Sequence, residues 1–277
     1  MKNNQGFTLV EMMIAVAIFG IVMAGIYQTY DSQQKTYIVQ EQIIDMQQNH
    51  RTAIYFLGQE LRMAGYDPSG KADANIATDS YMDSPGFNTA EIAEFEVTLD
   101  LNGDRVIDDQ NEIIRYALTN DDEDGDGISD AIDANWINSG ADCSLGREIN
   151  DNGSATLSGN PPQLVADNID AIEFLYILEN GDVTQSVDDN ELEDIRGVIV
   201  SILARTKNRI KGYRNTKTYF PASNEQDPSG NFRIPESLFV TGRPDNSWGP
   251  FDDSYRRNLY ITRFKCRNMG RNPYAGM

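Results

Sequence analysis

Apolar and polar residues divide the first 65 positions into two stretches with different patterns. From Phe7 to Tyr27 the chain is apolar at nearly every position, interrupted only by Thr8, Glu11 and small residues. About 20 consecutive apolar residues are enough for a helix to cross a bilayer. We therefore predict that residues 7–27 form a helix that lies in a membrane or in another apolar environment.

The pattern changes after residue 27 but remains helical. Apolar residues now recur at roughly helical spacing, with glutamine, asparagine and charged residues between them. No proline precedes Pro68, and the Asp-Pro-Ser-Gly run at 67–70 is typical of a helix end. This predicts an amphipathic half of the same helix over 28–65, ending near Ala64. The recurring apolar residues are Tyr30, Tyr37, Ile38, Ile44, Ile54, Leu57 and Leu61.

Residues 66–277 predict a globular, β-rich head. Five segments have the alternating or continuous apolar pattern of strands, at 92–99, 113–118, 172–178, 198–204 and 259–264. The Asn-Gly-Asp run at 180–182 favours a hairpin turn. The predicted fold class is therefore α+β, with a long amino-terminal helix packed against an antiparallel sheet with long loops.

Charge limits what such a head binds. The chain has 277 residues, 43 of them acidic and 23 basic, with a net charge of -20. This balance argues against nucleic-acid binding, which requires lysine and arginine to displace counterions. Residues 67–194 hold 32 acids and 4 bases, whereas residues 196–277 hold 15 bases and 6 acids. Either the two parts attract each other in the fold or between subunits, or they form separately solvated faces.

Glu11 is the unusual residue of the apolar stretch. A carboxylate in hydrocarbon costs at least about 2.5 kcal/mol, and the segment contains no cation to offset that cost. A plain membrane anchor leaves Glu11 unexplained. A cleaved secretory signal ending at Ala15-Val16-Ala17 is disfavoured because the apolar part before that site is short and contains Glu11. We expect the partner of Glu11 to come from elsewhere.

The sequence around Glu11 resembles a known processing signal. Residues 6–11 read Gly-Phe-Thr-Leu-Val-Glu after a short polar leader, Met1–Gly6. This resembles the class III signal of type IV prepilins and type II secretion pseudopilins. The resemblance implies that a prepilin peptidase cleaves between Gly6 and Phe7 and methylates the new amine of Phe7. It also implies that Glu11 neutralises the Phe7 amine of a neighbouring subunit during assembly.

Later segments resemble one branch of that class. Residues 51–66, 166–176, 196–203 and 255–263 are similar, in this order, to the PilW family of minor pilins, which is related to J-type pseudopilins. The resemblance implies a non-enzymatic subunit that primes assembly of a type IV pilus and lies at or near the tip, with a role in adhesion or twitching motility. Implied partners are other minor pilins, the major pilin, the prepilin peptidase and the inner-membrane assembly platform. The protein would span the inner membrane once, with a periplasmic head, before joining an extracellular pilus.

Two other functions remain open. A J-type pseudopilin of a type II secretion system would share the amino terminus, and neighbouring genes would distinguish it. A membrane-tethered, calcium-dependent binding domain would keep its function without residues 7–27. Catalysis has little support, because the sequence contains no Gly-x-Ser-x-Gly, P-loop or His-Glu-x-x-His motif. The single histidine, His50, lies among polar residues of the predicted helix, where we expect a solvated or partner-facing side chain rather than a catalytic one.

Two acidic loops have the residue spacing of calcium sites. The first has acids at loop positions 1, 3, 5, 9 and 12 and glycine at position 6, where the backbone turns sharply. Its predicted ligands are Asp122, Asp124, Asp126, Ile128 through its carbonyl, Asp130 and Asp133. The second loop lacks the glycine at position 6, and Gly103 is the candidate for its turn. Its predicted ligands are Asp100, Asn102, Asp104, Val106 through its carbonyl, and Asp108. Simple acidic loops are the alternative at both places.

Cys143 and Cys266 are the only cysteines. In an oxidising compartment such a pair usually forms a bridge, which would close a long loop and stabilise the head. We predict that disulfide, with two buried thiols as the alternative.

Overall fold

The structure is a computed structural model that describes residues 8–68, 85–104, 106–119, 125–129, 132, 143–151, 153–154, 156–224 and 247–270. The chain divides into two compact units, residues 1–44 and residues 45–277. One helix, α1 (Leu9–Met63), runs from the first unit into the second. The prediction of one continuous helix from the apolar stretch to residue 64 is therefore confirmed.

The first unit contains the apolar part of α1. All side chains from residue 8 to residue 30 are exposed, including Leu9 and Ile21, which are each about three-quarters exposed. Among the described residues, α1 is the one helix that is long and apolar enough to cross a membrane. Such an apolar surface is unfavourable in water and calls for lipid or protein around it.

The second unit contains the head strands and the end of α1. Strands β1 to β5 form one antiparallel sheet in sequence order, and β6 to β9 form a second sheet in the order β7-β6-β8-β9. The first sheet consists of β1 (Phe87–Ala90), β2 (Phe95–Thr98), β3 (Ile113–Thr119), β4 (Ser144–Ile149) and β5 (Gln163–Asp167). The second consists of β6 (Ile169–Leu178), β7 (Val183–Thr184), β8 (Ile195–Arg205) and β9 (Arg257–Lys265).

The end of α1 packs against both sheets. Its buried side chains form a helical stripe that begins only at Met46. His50 contacts Tyr260 of β9, with ring centroids 6.0 Å apart, and Glu60 forms a salt bridge of 3.0 Å with Arg147 of β4. The predicted apolar stripe is therefore correct at Leu57 and Leu61, whereas the members from Tyr30 to Ile44 are exposed. The buried stripe is Met46, His50, Ala53, Leu57, Gly58, Glu60 and Leu61.

All five predicted strands are present, but the head has two sheets rather than one. The strands are divided at Asn168, which has a φ of 59° and separates β5 from β6. The predicted hairpin at 180–182 is confirmed, because it joins β6 to β7 and the Leu178 N–H donates to the Asp182 carbonyl at 2.9 Å. Strands β1, β4 and β5 were not predicted from the sequence.

The head core contains stacked aromatic rings and a buried ionic cluster. Phe95 packs against Phe174 edge to face at 5.0 Å and against Tyr116 at 5.3 Å, which links the two sheets. Asp170 of β6 pairs with Arg205 of β8 at 3.0 Å and with Arg257 of β9 at 2.6 Å. The acidic and basic parts of the sequence therefore do attract each other within the fold.

Candidate functional site

Glu11 lies in the first turn of α1 and is bound there by Thr8. Its Oε2 atom accepts hydrogen bonds from the Thr8 N–H and the Thr8 hydroxyl, both at 2.8 Å. The Glu11 N–H donates in return to Thr8 Oγ1 at 3.3 Å. This is a capping box, in which the first and fourth residues satisfy each other's backbone groups. Both of these donors belong to Thr8 and are neutral, so they leave the charge of the carboxylate for a cation to offset. Gly6 and Phe7 lie outside the described residues.

The 100–108 loop brings part of the predicted calcium set together. Carboxylate oxygens of Asp104, Asp108 and Asp109 lie within 4.8 Å of one another. Gly103 has a φ of +77°, and its N–H donates to Asp100 Oδ1 at 2.6 Å. Gly103 therefore makes the turn, as the sequence predicts.

Asn102 takes a different place in this loop. Its amide nitrogen donates to Asp104 Oδ2 at 2.9 Å and to Asp109 Oδ2, so it links two acids rather than joining them as an oxygen ligand. Asp109 was not predicted because it is position 10 of the loop, and the calcium-loop pattern has no ligand at that position. An acid next to Asp108 was the available signal.

Glu112 organises the same loop from inside the head. Its Oε1 accepts the Leu101 N–H at 2.8 Å, and its Oε2 accepts the N–H groups of Asp108 at 3.0 Å and Asp109 at 2.9 Å. Three backbone donors on one buried carboxylate hold both ends of the loop on the start of β3. This role accounts for an acid one position later than the calcium template expects.

Only the middle of the 122–133 loop is described. Asp122, Asp124, Asp130 and Asp133 lie outside the described residues. Asp126 Oδ1 accepts the Ile128 N–H at 2.8 Å, and Gly127 has a φ of +78°. A Cβ at this glycine would overlap the Ile172 carbonyl oxygen, so the sharp turn expected there requires glycine. The side chain of Ile128 is buried in the cluster around Trp248.

Calcium binding remains a prediction, and melting curves of the full chain test it. With free calcium about tenfold above Kd, binding to the folded state alone adds about 1.4 kcal/mol. We expect a higher Tm in millimolar calcium than in chelator, and a smaller rise after Asp104→Asn with Asp108→Asn. The pair Asp188→Asn and Asp189→Asn makes the same charge change on exposed residues and should leave the rise intact. Equal Tm values of the unmodified protein in calcium and chelator would contradict the prediction for both loops.

The predicted disulfide does not form in the structure, where Cys143 and Cys266 are both buried thiols. The Cys143 carbonyl accepts a hydrogen bond from the N–H of Ile169, which pairs with Ala204 near the end of β8. The Cys266 N–H donates to the carbonyl of Arg196, near the start of β8. Eight strand residues separate these places, about 26 Å. A disulfide needs Cα atoms within about 7 Å, so the prediction is corrected. Burial raises the pKa of the Cys266 thiol to about 12, which makes it unreactive.

His50 also differs from expectation. A solvated or partner-facing histidine was expected, but the side chain is only 5% exposed between α1 and β9. Burial lowers the pKa of His50, so it is a neutral packing residue of the helix–sheet contact.

The comparisons with known proteins are consistent with the amino-terminal signal. Residues 1–27 match the family model described as the prokaryotic N-terminal methylation motif. A type IV-like pilin from Thermus thermophilus matches with a TM-score of 0.42 and 14% identity, over 81% of this chain and 96% of that one. Comparison with curated proteins gave no significant match. The matched motif overlaps the start of the long apolar helix α1, where the sequence around Glu11 resembles a prepilin signal.

Proposed function

We propose that the protein is a minor pilin of the PilW type that primes assembly of a type IV pilus and lies at or near its tip. The observation that carries the proposal is the continuity of a prepilin-type amino terminus with the 55-residue helix α1, whose end packs in a large head. A head of more than 200 residues is bulky for a subunit present in thousands of copies, which favours a minor role.

The exposed apolar half of α1 requires two successive environments. Before assembly, lipid surrounds residues 9–27 and the head faces the periplasm. During assembly, helices of neighbouring subunits replace the lipid, so little apolar area is transferred to water at any stage. Other minor pilins and the major pilin are the proposed neighbours, and the inner-membrane platform is the proposed site of transfer.

Glu11 sets the axial position of the subunit as it moves from the membrane into the filament. Thr8 supplies hydrogen bonds to the carboxylate while the subunit is alone, which lowers the cost of keeping an acid at the membrane. Cleavage before Phe7 creates a cationic amine that the precursor lacks. Pairing of that amine with Glu11 of a neighbour fixes the axial position, because a buried charge without a partner is strongly unfavourable.

Two variants distinguish the effect on processing from the effect on assembly. Gly6→Ala is expected to leave the leader attached, and Glu11→Ala to be processed normally but excluded from filaments. Mass spectrometry of protein from membranes and from sheared filaments checks both, with a methylated amino terminus at Phe7 expected in the unmodified protein.

Glu41→Ala removes an exposed acid from the same helix beyond the apolar stretch and serves as the control. Normal incorporation of Glu11→Ala would contradict the pairing. An unprocessed amino terminus in the unmodified protein would contradict the pilin function itself. Recovery with a type II secretion complex instead of pili would identify a J-type pseudopilin.

A further inference from the structure

The outer edge of β9 is the longest open end of a sheet in the described part of the chain. The strands that end the two sheets are β1, β5, β7 and β9, and only β9 has nine residues. Its register with β8 runs without a bulge from Lys265 opposite Gly197 to Arg257 opposite Arg205. Long, regular edges are templates for pairing with a further strand.

The hydrogen bonds at both ends of β9 show which backbone groups face outward. The Thr206 N–H donates to the Arg256 carbonyl at 2.8 Å, and the Cys266 N–H donates to the Arg196 carbonyl at 3.1 Å. Even-numbered residues of β9 therefore bond to β8, because inward and outward pairs alternate along an antiparallel strand. The backbone groups of Arg257 also point outward, but its carbonyl already accepts a hydrogen bond from the Tyr219 hydroxyl at 3.2 Å. The outward backbone groups are those of Leu259, Ile261, Arg263 and Lys265.

The side chains along this edge are basic and partly apolar. Arg256, Arg263, Lys265 and Arg267 are exposed, and no acidic residue occurs from 256 to 267. Tyr260 and Ile261 are each 45% exposed and offer apolar contact area beside the open backbone. Two such edges would repel each other, so the charges oppose symmetric pairing of two copies and favour an acidic strand.

We propose that the outer edge of β9 binds an acidic, extended segment of another protein by strand addition. The backbone of residues 259–265 supplies the hydrogen bonds, and Arg263 and Lys265 select acidic side chains at alternate positions of the segment. The proposal stands independently of the pilus, because it concerns one edge of the head and not the amino terminus.

A synthetic probe tests the edge directly. Nine-residue peptides that alternate valine with glutamate, or valine with lysine, are titrated against the full chain in neutral detergent by fluorescence anisotropy. Ile261→Pro removes one outward N–H and leaves the hydrogen bonds between β9 and β8 in place. An edge strand tolerates proline at such a position, where the N–H points away from the sheet. We expect the glutamate peptide to bind and its affinity to fall at least tenfold in Ile261→Pro.

Charge variants keep the test valid if the proline variant fails to fold. Arg263→Glu with Lys265→Glu should weaken the glutamate peptide at least tenfold and strengthen the lysine peptide. Lys207→Glu with Lys211→Glu makes the same charge change on exposed residues outside β9 and should have little effect.

Three results would overturn the proposal. The first is that the glutamate peptide does not bind the unmodified protein. The second is that a backbone N-methylated form of this peptide binds as well as the unmodified peptide, which would show charge attraction without strand pairing. Self-association of the protein that Ile261→Pro abolishes would assign the edge to a second copy instead.

Discussion

Replacing Arg257 with methionine is expected to destabilise the head by about 3–5 kcal/mol. The Arg257 side chain is fully buried, and its Nε donates to Asp170 Oδ2 at 2.6 Å. Its two terminal nitrogens donate to the two carboxylate oxygens of Asp253, each at 2.7 Å, and its guanidinium carbon lies 3.8 Å from the centre of the Phe251 ring. Methionine fills much of the volume but leaves two buried carboxylates with Arg205 as the remaining cation of the cluster.

Arg214→Met is the matched control for this prediction. Arg214 also pairs with an aspartate, Asp252, but both side chains are largely exposed. Exposed ion pairs contribute little to stability, so the same substitution should have a small effect there. Urea unfolding of the full chain in mild detergent measures both. Similar losses for the two variants would mean that the buried cluster does not hold β6, β8 and β9 together.

This cluster shows where sequence reasoning about the fold ends. The strands at 198–204 and 259–264 are recognisable because apolar residues dominate them. Arg205 directly follows the first segment and Arg257 lies two residues before the second, and charged residues at strand ends are usually solvated. Their burial depends on Asp170, which is distant in sequence and arrives through the register of β6. No local pattern contains that information.

The missed strands have the same explanation. β4 contains Gly146 and Glu148, residues of low strand propensity, on either side of the charged Arg147. It forms because it pairs with β3 and because Arg147 reaches Glu60 of α1. β5 is short and follows two prolines, and it is held by pairing with β4. Tertiary contacts decide these segments, whereas α1 and the apolar strands follow from periodicity alone.

The candidate sites also differ in whether local sequence or tertiary structure determines them. The Thr8–Glu11 capping box is local and could be recognised from a threonine three residues before a glutamate. Gly103 and Gly127 are also local, because each turn requires a positive φ. The inability of Cys143 and Cys266 to form a bridge follows from the order of β6 and β8 in the second sheet, which the spacing of two cysteines does not encode.

Glu173 is expected to reduce the stability of the head as pH rises, and Glu173→Gln to remove that effect. The Glu173 side chain is buried in β6, where its Oε1 accepts hydrogen bonds from the Ser201 hydroxyl and the Ser223 N–H, both at 3.2 Å. These donors are neutral. Burial raises the pKa of Glu173 from 4.5 to about 7, although the hydrogen bonds oppose the change.

The direction follows from proton binding. Between pH 4.5 and 7 the folded state holds a proton on Glu173 that the unfolded state has lost, so the free energy of unfolding falls as pH rises. The full effect is about 3 kcal/mol, reached above pH 7. We expect Glu173→Gln to match the unmodified protein near pH 4 and to exceed its stability by about 2–3 kcal/mol at pH 8.

Comparing the variant with the unmodified protein at each pH isolates this residue. Burial lowers the pKa of His50, so His50 reduces stability as pH falls below 6.5, but it does so equally in both proteins. Glu191→Gln changes an exposed glutamate and should shift stability by no more than about 0.5 kcal/mol at any pH. A stability difference between Glu173→Gln and the unmodified protein that stays constant from pH 4 to pH 8 would show that folding does not raise the pKa of Glu173, so that it is ionised at neutral pH. Ser201 and Ser223 would then hold a buried carboxylate rather than a carboxylic acid.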